Sequence, residues 1–221
     1  MKKTKLPAAR RERLTREKIA LAACALIDAE GIEAFSTRKL AAILGVEAMA
    51  LYHHFPSKAA LFDAVVELLL QGIEIPETGD WRSRFVQGLH SFYQIAERHP
   101  RSYLLLSDRR WNTPLALQFY EQALTVLCDD GGLTPVDAAR LFRGAANYVN
   151  GAALVRIASF GKGRAPSQLV LEATPPSLAA YPHVARVAPY LRAAALDGLF
   201  AETIERVVDA LLPVDRGGAG S

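Results

Sequence analysis

Cysteine is scarce in this chain. Only Cys24 and Cys128 are present among the 221 residues, and they form no CxxC pair. We therefore expect neither a disulfide framework nor a cysteine-rich zinc site. Isolated thiols are typical of a reducing compartment, which favours a cytoplasmic protein.

Long apolar runs are absent as well. No apolar stretch reaches the roughly eighteen residues that a membrane-spanning helix needs. The N-terminus is basic but lacks the apolar stretch of a secretory leader. We therefore expect no membrane partner.

The motifs of the common enzyme classes are missing too. The sequence has no GxSxG elbow, no phosphate-cradling glycine loop and no HExxH pair. His90, His99 and His183 are widely spaced and match no metal-ligand pattern. We expect no catalytic site, no metal site and no cofactor. An all-α enzyme is the less favoured alternative.

No strand-like alternation of apolar and polar residues persists anywhere in the chain. Apolar residues instead recur at spacings of three and four, which is the period of an amphipathic helix. The stripe of Ile19, Ala23, Leu26 and Ile27 is one example. The predicted fold class is therefore all-α.

Residues 36–58 form the most informative segment. Ser36 and Thr37 can cap a short helix, and Gly45 can end it in the left-handed conformation. A second short helix follows and stops before Pro56. Two short helices joined by a glycine bend have the layout of a helix-turn-helix DNA reader. The pattern alone fits an ordinary packed pair of helices about as well.

Charge is sorted along the chain, although the net charge is only +3. The first eighteen residues carry eight basic and two acidic side chains, and the net charge is +5 over residues 1–58 and −2 over the remainder. A basic arm beside a reader helix is what phosphate contact and counterion release require. A disordered, solubilising tail is the alternative. Arm and helix pair together predict double-stranded DNA as a partner.

The reader segment also resembles a known family. The stretches ThrArgLysLeuAla at 37–41, LeuGlyValGlu at 44–47, LeuTyr at 51–52 and HisPhe at 54–55, then Lys58 and Leu61, look like the N-terminal domain of the tetracycline-repressor family. The matching positions cover about residues 15–62 without gaps. The resemblance implies a homodimeric transcription factor, usually a repressor, that a small molecule releases from its DNA operator. A ligand-unresponsive DNA-binding dimer is the alternative.

The resemblance assigns the DNA contacts by position. Thr37, Tyr52, His53 and Lys58 would hold phosphates, and Arg38, Ala48, Met49 and Ala50 would face base edges. Arg38 can fork onto guanine O6 and N7, although a phosphate pair suits it nearly as well. The two alanines and Met49 have no side-chain hydrogen bonds to give, so we expect sparse direct readout and a larger contribution from DNA shape.

The resemblance and the helical pattern together divide the chain into three parts. We place a basic arm and three-helix helix-turn-helix domain at 1–56, a connecting helix at 57–72, and a larger helical effector-binding and dimerisation domain at 73–221. The last part would hold an unknown, mostly apolar small-molecule effector. The residues predicted to line its pocket are Leu89, Phe92, Tyr93, Leu105, Leu106, Trp111, Phe119, Tyr120, Asn147 and Tyr148. Tetracycline-binding members place a histidine where Leu106 stands, so we expect no metal-chelated tetracycline.

Two helices of the last part are predicted to form the dimer surface. The helix that begins at Pro135 carries GlyAlaAla at 144–146 and again at 151–153, and small residues let another helix approach closely. The final helix, at about 196–212, has an apolar stripe wider than one neighbour needs. Equivalent helices of two subunits form a four-helix interface in the family, and intramolecular core accounts for part of both stripes. The predicted interface residues are Ala145, Ala152, Phe200, Ile204, Val207, Val208 and Leu211.

Overall fold

The computed structural model describes residues 13–109, 113–160, 180–187 and 199–212. Within these ranges every regular element is a helix, which confirms the all-α prediction. Most of the basic arm, the predicted loop at 161–176 and Trp111 lie outside the described residues. Among the described residues, none of the helices combines the length and the apolar composition that crossing a bilayer requires.

The helices follow one another with short connections. They are α1 (Arg16–Glu30), α2 (Thr37–Leu44), α3 (Ala48–Tyr52), α4 (Lys58–Gln71), α5 (Trp81–Arg98), α6 (Leu104–Arg109), α7 (Pro114–Thr125), α8 (Pro135–Phe160), α9 (Pro182–Val187) and α10 (Leu199–Leu211). A π-helical turn, Val126–Asp130, continues α7. We refer to α1–α3 as the head and to α5–α10 as the body.

Side-chain caps fix where several helices begin. A hydroxyl or carboxylate oxygen of the residue before each helix accepts a hydrogen bond from the backbone N–H three residues on, which satisfies one of the unpaired donors of the first turn. These N-caps are Thr15, Ser36, Ser57, Asp80 and Thr113. The sequence therefore encodes the helix starts locally.

The head is a small packed unit around α1. Ile19 and Ile27 of α1 and Leu40 of α2 are fully buried. Ile43 follows Leu40 by three residues, a spacing that would favour the same buried face, but it is 60% exposed. Leu40, Ala41 and the half-buried Leu44 set the inward direction of α2, and Ile43 lies about 100° away from that direction around the helix.

Helix α4 connects the head to the body. It packs against α1 on one side and against α6 and α7 on the other. Leu61, Val65 and Leu69 on α4 are almost fully buried. Close packing of this kind can couple the position of α4 to that of α1.

The body is built around α5 and α8, which pack along each other, with α10 against both. Gly144 of α8 allows the closest approach: a Cβ atom placed there would lie 2.5 Å from Cδ1 of Leu211. At the edge of this packing, Arg82 of α5 donates two hydrogen bonds to the Asp209 carboxylate of α10, at 2.7 and 2.8 Å. The last helix is therefore fixed to its own chain by close packing and by an ion pair.

Candidate nucleic-acid interface and small-molecule cavity

Helix α3 exposes a slim face while two side chains anchor it. Leu51 and Phe55 are each 2% exposed and hold the helix on the core of the head. Met49 is 66% exposed, and Ala48 and Ala50 are half-buried beside it. Because the outward side chains are small or flexible, the helix presents the narrow profile that a major groove of about 12 Å can accept.

Arg16 of α1 fixes the end of α3. Its guanidinium lies 4.2 Å from the centroid of the Phe55 ring and donates a hydrogen bond to the carbonyl of His54. A stacked, charge-assisted contact of this kind gives the end of α3 one defined orientation. No local pattern in the sequence indicates this role for Arg16, because His54 and Phe55 are 38 and 39 positions away.

The predicted phosphate-binding residues surround this face. Tyr52 is 43% exposed, His53 is exposed, and Thr37 is half-buried at the first position of α2. Arg38 is exposed and has no hydrogen bond or ion pair with any residue that the structure describes. The Tyr52 side chain is thus accessible from solvent.

Lys58 stands at the start of α4 and is oriented by aromatic rings. Its Nζ atom lies 5.1 Å from the ring centroids of both Phe35 and Phe62 and donates a 3.4 Å hydrogen bond to the Phe35 carbonyl. The residue as a whole is exposed. The ammonium group is therefore pre-positioned beside the N-terminus of α4, where backbone N–H groups also favour an anion.

The body contains an apolar cavity between α4, α5, α7 and α8. The cavity volume is about 40 Å³. All of the empty space between the lining atoms, including the part that opens to solvent, amounts to about 520 Å³. The lining residues are Leu70, Ile75, Phe85, Gly88, Leu89, Phe92, Phe119, Tyr120, Ala123, Phe142 and Ala146. The hydroxyl of Tyr120 is the one polar side-chain group among them, so the cavity suits an uncharged, largely apolar molecule.

The structure brings only part of the predicted pocket to this cavity. Leu89, Phe92, Phe119 and Tyr120 line it, whereas Tyr93, Leu105, Leu106, Asn147 and Tyr148 do not. Leu105 and Leu106 are buried in the core. Tyr93 and Tyr148 stack on Phe200, with ring centroids 3.9 and 5.9 Å apart. Asn147 is exposed on the surface of α8 and does not line this cavity.

Sequence reasoning also missed several lining residues. Leu70 and Ile75 lie at the end of α4 and in the following loop, which no local pattern links to a cavity. Gly88, in the middle of α5, was the available signal. A Cβ atom there would lie 3.0 Å from Cγ1 of Ile75, so the glycine permits the loop to cross α5 closely.

Most of the predicted dimer residues pack inside the chain itself. Ala145, Ile204 and Val208 are fully buried within the single chain and Phe200 is 8% exposed, so they offer little surface to a partner. Ala152, Val207 and Leu211 are half-buried. The reason is that α10 uses its wide apolar stripe to pack on both α5 and α8.

The two GlyAlaAla repeats of α8 therefore have different surroundings. Gly144 faces Leu211 of the same chain, whereas nothing lies within 4 Å of a Cβ atom placed at Gly151. Leu154, which follows Gly151 by three residues, is 44% exposed. The exposed strip of α8 thus combines a helix-approach residue with an unburied leucine.

Comparisons with known proteins cover both halves of the chain. Residues 19–65 match the family described as bacterial regulatory proteins, tetR family, and residues 75–212 match the tetracyclin repressor-like C-terminal domain. The chain is 32% identical over 145 residues to the HTH-type transcriptional repressor DrrR1 of Streptomyces coeruleorubidus, a match that covers 63% of this chain and 53% of that repressor. It is 31% identical over 151 residues to the tetracycline repressor protein class C of Escherichia coli, covering 66% of this chain and 68% of that protein.

The chain thus spans about half the length of the first of these relatives. Among solved structures, a possible TetR family transcriptional regulator from Streptomyces coelicolor A3(2) superposes with a TM-score of 0.77 at 24% identity, covering 89% of this chain and 98% of that one. This similarity supports the all-helical fold described above.

Proposed function

Because the chain belongs to the tetR family of bacterial regulatory proteins, we propose that it is a homodimeric, DNA-binding repressor that a small apolar molecule releases from its operator. The resemblance inferred from residues 37–61 is thereby confirmed at the level of the family. The observation that carries the proposed mechanism is that Leu70, in the last turn of α4, lines the cavity while the rest of α4 packs on the head. Since its target is DNA, the protein would act in the cytoplasm.

The head supplies the proposed DNA contacts. Ala48, Met49 and Ala50 would enter the major groove, and Arg38 would reach a base edge beside them. Thr37, Tyr52, His53 and Lys58 would hold phosphates on either side. Residues 1–56 would thus form the reading unit together with the basic arm, 57–72 the connector, and 73–221 the effector-binding and dimerisation part.

Two heads are needed because a single one makes few base contacts. In a two-fold dimer the reader helices would enter successive major grooves about 34–36 Å apart. We place the dimer surface on the exposed strip of α8 around Asn147, Gly151 and Leu154, because another helix can approach Gly151 without a clash. In a symmetric two-fold interface, each subunit contributes this same strip.

The dimer surface has a matched test. Leu154→Lys places a charge on the proposed interface and should convert the dimer to a monomer in size-exclusion chromatography with light scattering. Leu117→Lys is the control, because Leu117 is 54% exposed but lies on α7. Equal dimer fractions in the two variants would show that the surface lies elsewhere.

The proposed effector is an uncharged molecule with flat apolar faces. Five aromatic rings line the cavity, and the lining carries no charged side chain. A volume of about 40 Å³ admits no more than a few waters, whereas sites for drug-sized ligands measure about 300–1,000 Å³. The effector must therefore widen the cavity to bind.

Widening the cavity gives a direct mechanism for release. Leu70 would be displaced with the end of α4, and α4 would carry the movement to α1 through Leu61, Val65 and Leu69. The heads would then lose the separation that the operator requires. A coupling of about 1–3 kcal/mol would lower operator affinity several-fold to about a hundredfold.

The decisive experiment combines DNA binding with a cavity-filling variant. Fluorescence anisotropy would follow a duplex that the wild-type protein selects from a random library, and uncharged polycyclic aromatic compounds, beginning with anthraquinone, would be titrated in. Ala146→Phe should bind the duplex like the wild type but resist release. Ala139→Phe, an exposed position on the same helix, should respond normally.

The alternatives give different results. A ligand-unresponsive dimer would bind DNA that neither these compounds nor a metabolite extract releases. An all-α enzyme would show no DNA binding, even at low ionic strength. If Ala146→Phe is released as readily as the wild type, the effector does not enter this cavity.

A further inference from the structure

A cluster of three metal-ligating side chains joins the head to the body. Cys24 and Asp28 lie one turn apart on α1, and His99 immediately follows α5. The Cys24 Sγ atom is 3.5 Å from His99 Nδ1 and 3.7 Å from Asp28 Oδ2, and Nδ1 is 2.8 Å from Oδ2. The three ligand atoms together fit within 4.8 Å.

These separations are close to those of a tetrahedral zinc site. With Zn–S of about 2.3 Å and Zn–N and Zn–O of about 2.0 Å, tetrahedral angles would place sulfur about 3.5 Å from nitrogen and from oxygen, and nitrogen about 3.3 Å from oxygen. The two sulfur distances already agree. Only the His99–Asp28 pair must open, by about half an ångström, when its hydrogen bond is replaced by two bonds to the metal.

The surroundings of the cluster fix the ligands in place. The backbone N–H of Ser102 donates a 2.8 Å hydrogen bond to Oδ1 of Asp28, which leaves Oδ2 directed at the cluster. The Ser102 hydroxyl donates to the carbonyl of Cys24 at 3.2 Å. Outer hydrogen bonds of this kind orient metal ligands in known sites. The His99 side chain is 38% exposed and gives solvent access for an ion and a fourth, water ligand.

The arrangement does not suit nucleophilic catalysis, which is the other reaction that a Cys–His–Asp group can support. A nucleophilic triad needs the cysteine and the aspartate on opposite nitrogens of the imidazole. Here both approach Nδ1, and Cys24 is only 2% exposed. Burial also raises the pKa of the Cys24 thiol to about 11, so an unmetallated site holds an unreactive thiol.

We propose that Cys24, Asp28 and His99 bind one zinc-type divalent cation at the joint between the head and the body. Binding expels the thiol proton into solvent and leaves the imidazole hydrogen on Nε2. The ion would tie α1 to the end of α5, and so would stabilise the arrangement of head and body seen here. The sequence concealed the site because Asp28 and His99 are 71 residues apart. This site departs from the expectation that the chain has no metal site, which rested on the spacing of the histidines along the sequence.

The test uses Co²⁺ and Zn²⁺ alone on the reduced, tag-free full-length protein. Co²⁺ reports a thiolate ligand by its charge-transfer absorption, and we expect about one Co²⁺ per chain, displaced by Zn²⁺. Cys24→Ser and His99→Asn should abolish that absorption. The matched controls Cys128→Ser and His183→Asn should retain it, because Cys128 and the exposed His183 lie outside the cluster.

A second readout separates the site from surface binding. Zn²⁺ should raise the thermal unfolding midpoint of the wild type and of both controls, and leave Cys24→Ser and His99→Asn unchanged. Circular dichroism confirms that each variant folds. The proposal is overturned if the wild type shows no thiolate absorption, or if the cluster variants bind Co²⁺ as well as the controls do. Neither measurement involves DNA or an effector, so it stands apart from the proposed repressor function.

Discussion

The left-handed glycine between α2 and α3 gives a sharp test of how the reader helix is positioned. Gly45 has φ 65° and ψ 34°, and the N–H of Val46 donates back to the carbonyl of Ala41 at 3.0 Å. This is the glycine-ended helix motif that closes α2 and starts the bend. A Cβ atom at Gly45 would meet nothing within 4 Å, so Gly45→Ala costs backbone strain alone.

The magnitude follows from two opposing effects. Left-handed backbone costs an alanine about 1–2 kcal/mol relative to glycine. Alanine has less conformational freedom than glycine in the unfolded chain, which stabilises the folded state by about 0.4–1 kcal/mol. We expect a net loss of about 1 kcal/mol in the free energy of unfolding, which lowers the thermal midpoint by about 2–4 °C for a chain of this size.

Gly132 is a matched control elsewhere in the chain. Its φ is 64°, it also has open space around the missing Cβ, and it lies in the loop before α8. Gly132→Ala should therefore cost at least as much stability as Gly45→Ala. DNA affinity should differ between the two variants, because any strain at Gly45 that a shift of α3 relieves in the free protein must be restored on DNA. Restoring α3 on DNA would cost up to about 1 kcal/mol, or about fivefold in affinity.

The assay is urea unfolding together with fluorescence anisotropy on the duplex selected by the wild-type protein. The expected result is two destabilised variants, with Gly45→Ala losing no more stability than Gly132→Ala and only Gly45→Ala binding the duplex more weakly. Equal affinity of the two variants would refute the role of the α2–α3 bend in positioning α3. A Gly45→Ala protein that is more stable than the wild type would refute the backbone argument itself.

Further predictions concern DNA contacts and one ion pair. Arg38→Ala should relax base preference at one operator position, and an unchanged preference in a selection experiment would remove its assigned role. Lys58→Ala should weaken binding to all sequences and lower the slope of log affinity against log salt concentration by about one. Tyr52→Phe is the control, because it should weaken binding without changing that slope. The hydrogen bonds from Arg82 lower the pKa of Asp209 in the folded protein. The stabilisation from this ion pair is therefore fully present above the unfolded pKa of an aspartate, and it is lost as the pH falls through the lower pKa of the folded state. The free energy of unfolding of Arg82→Gln should therefore fall by less than about 1 kcal/mol at pH 7 and by a smaller amount at pH 2, measured by urea unfolding at both pH values, and an equal loss at both would exclude the ion pair as the cause.

The head could be read from the sequence because its signals are local. Thr15, Ser36 and Ser57 accept hydrogen bonds three residues along the chain, and Gly45 adopts the backbone conformation that only glycine takes easily. Each of these features acts within one or two helical turns. Helix starts, the bend and the exposed face of α3 therefore followed from the residues themselves.

The body was harder to predict because every helix there has more than one apolar neighbour. Periodicity marks which side chains are buried but not against which helix they lie. Phe200 was assigned to a dimer surface and Tyr148 to a pocket, yet their rings stack on each other inside one chain. The lining of the cavity by Leu70 likewise depends on how the end of α4 meets α7 and α8, which no spacing along the chain records.

The amino-acid order alone determined the all-helical class, the family and the exposed face of α3, since capping, glycine conformation and helical period act over a few neighbouring positions. Only the folded arrangement decided which of the two small-residue motifs on α8 faces outward, which side chains surround the cavity, and that a cysteine and an aspartate on the first helix meet a histidine about seventy positions later. Contacts between distant segments depend on how the helices cross, and the crossing is set by the packing of all side chains at once.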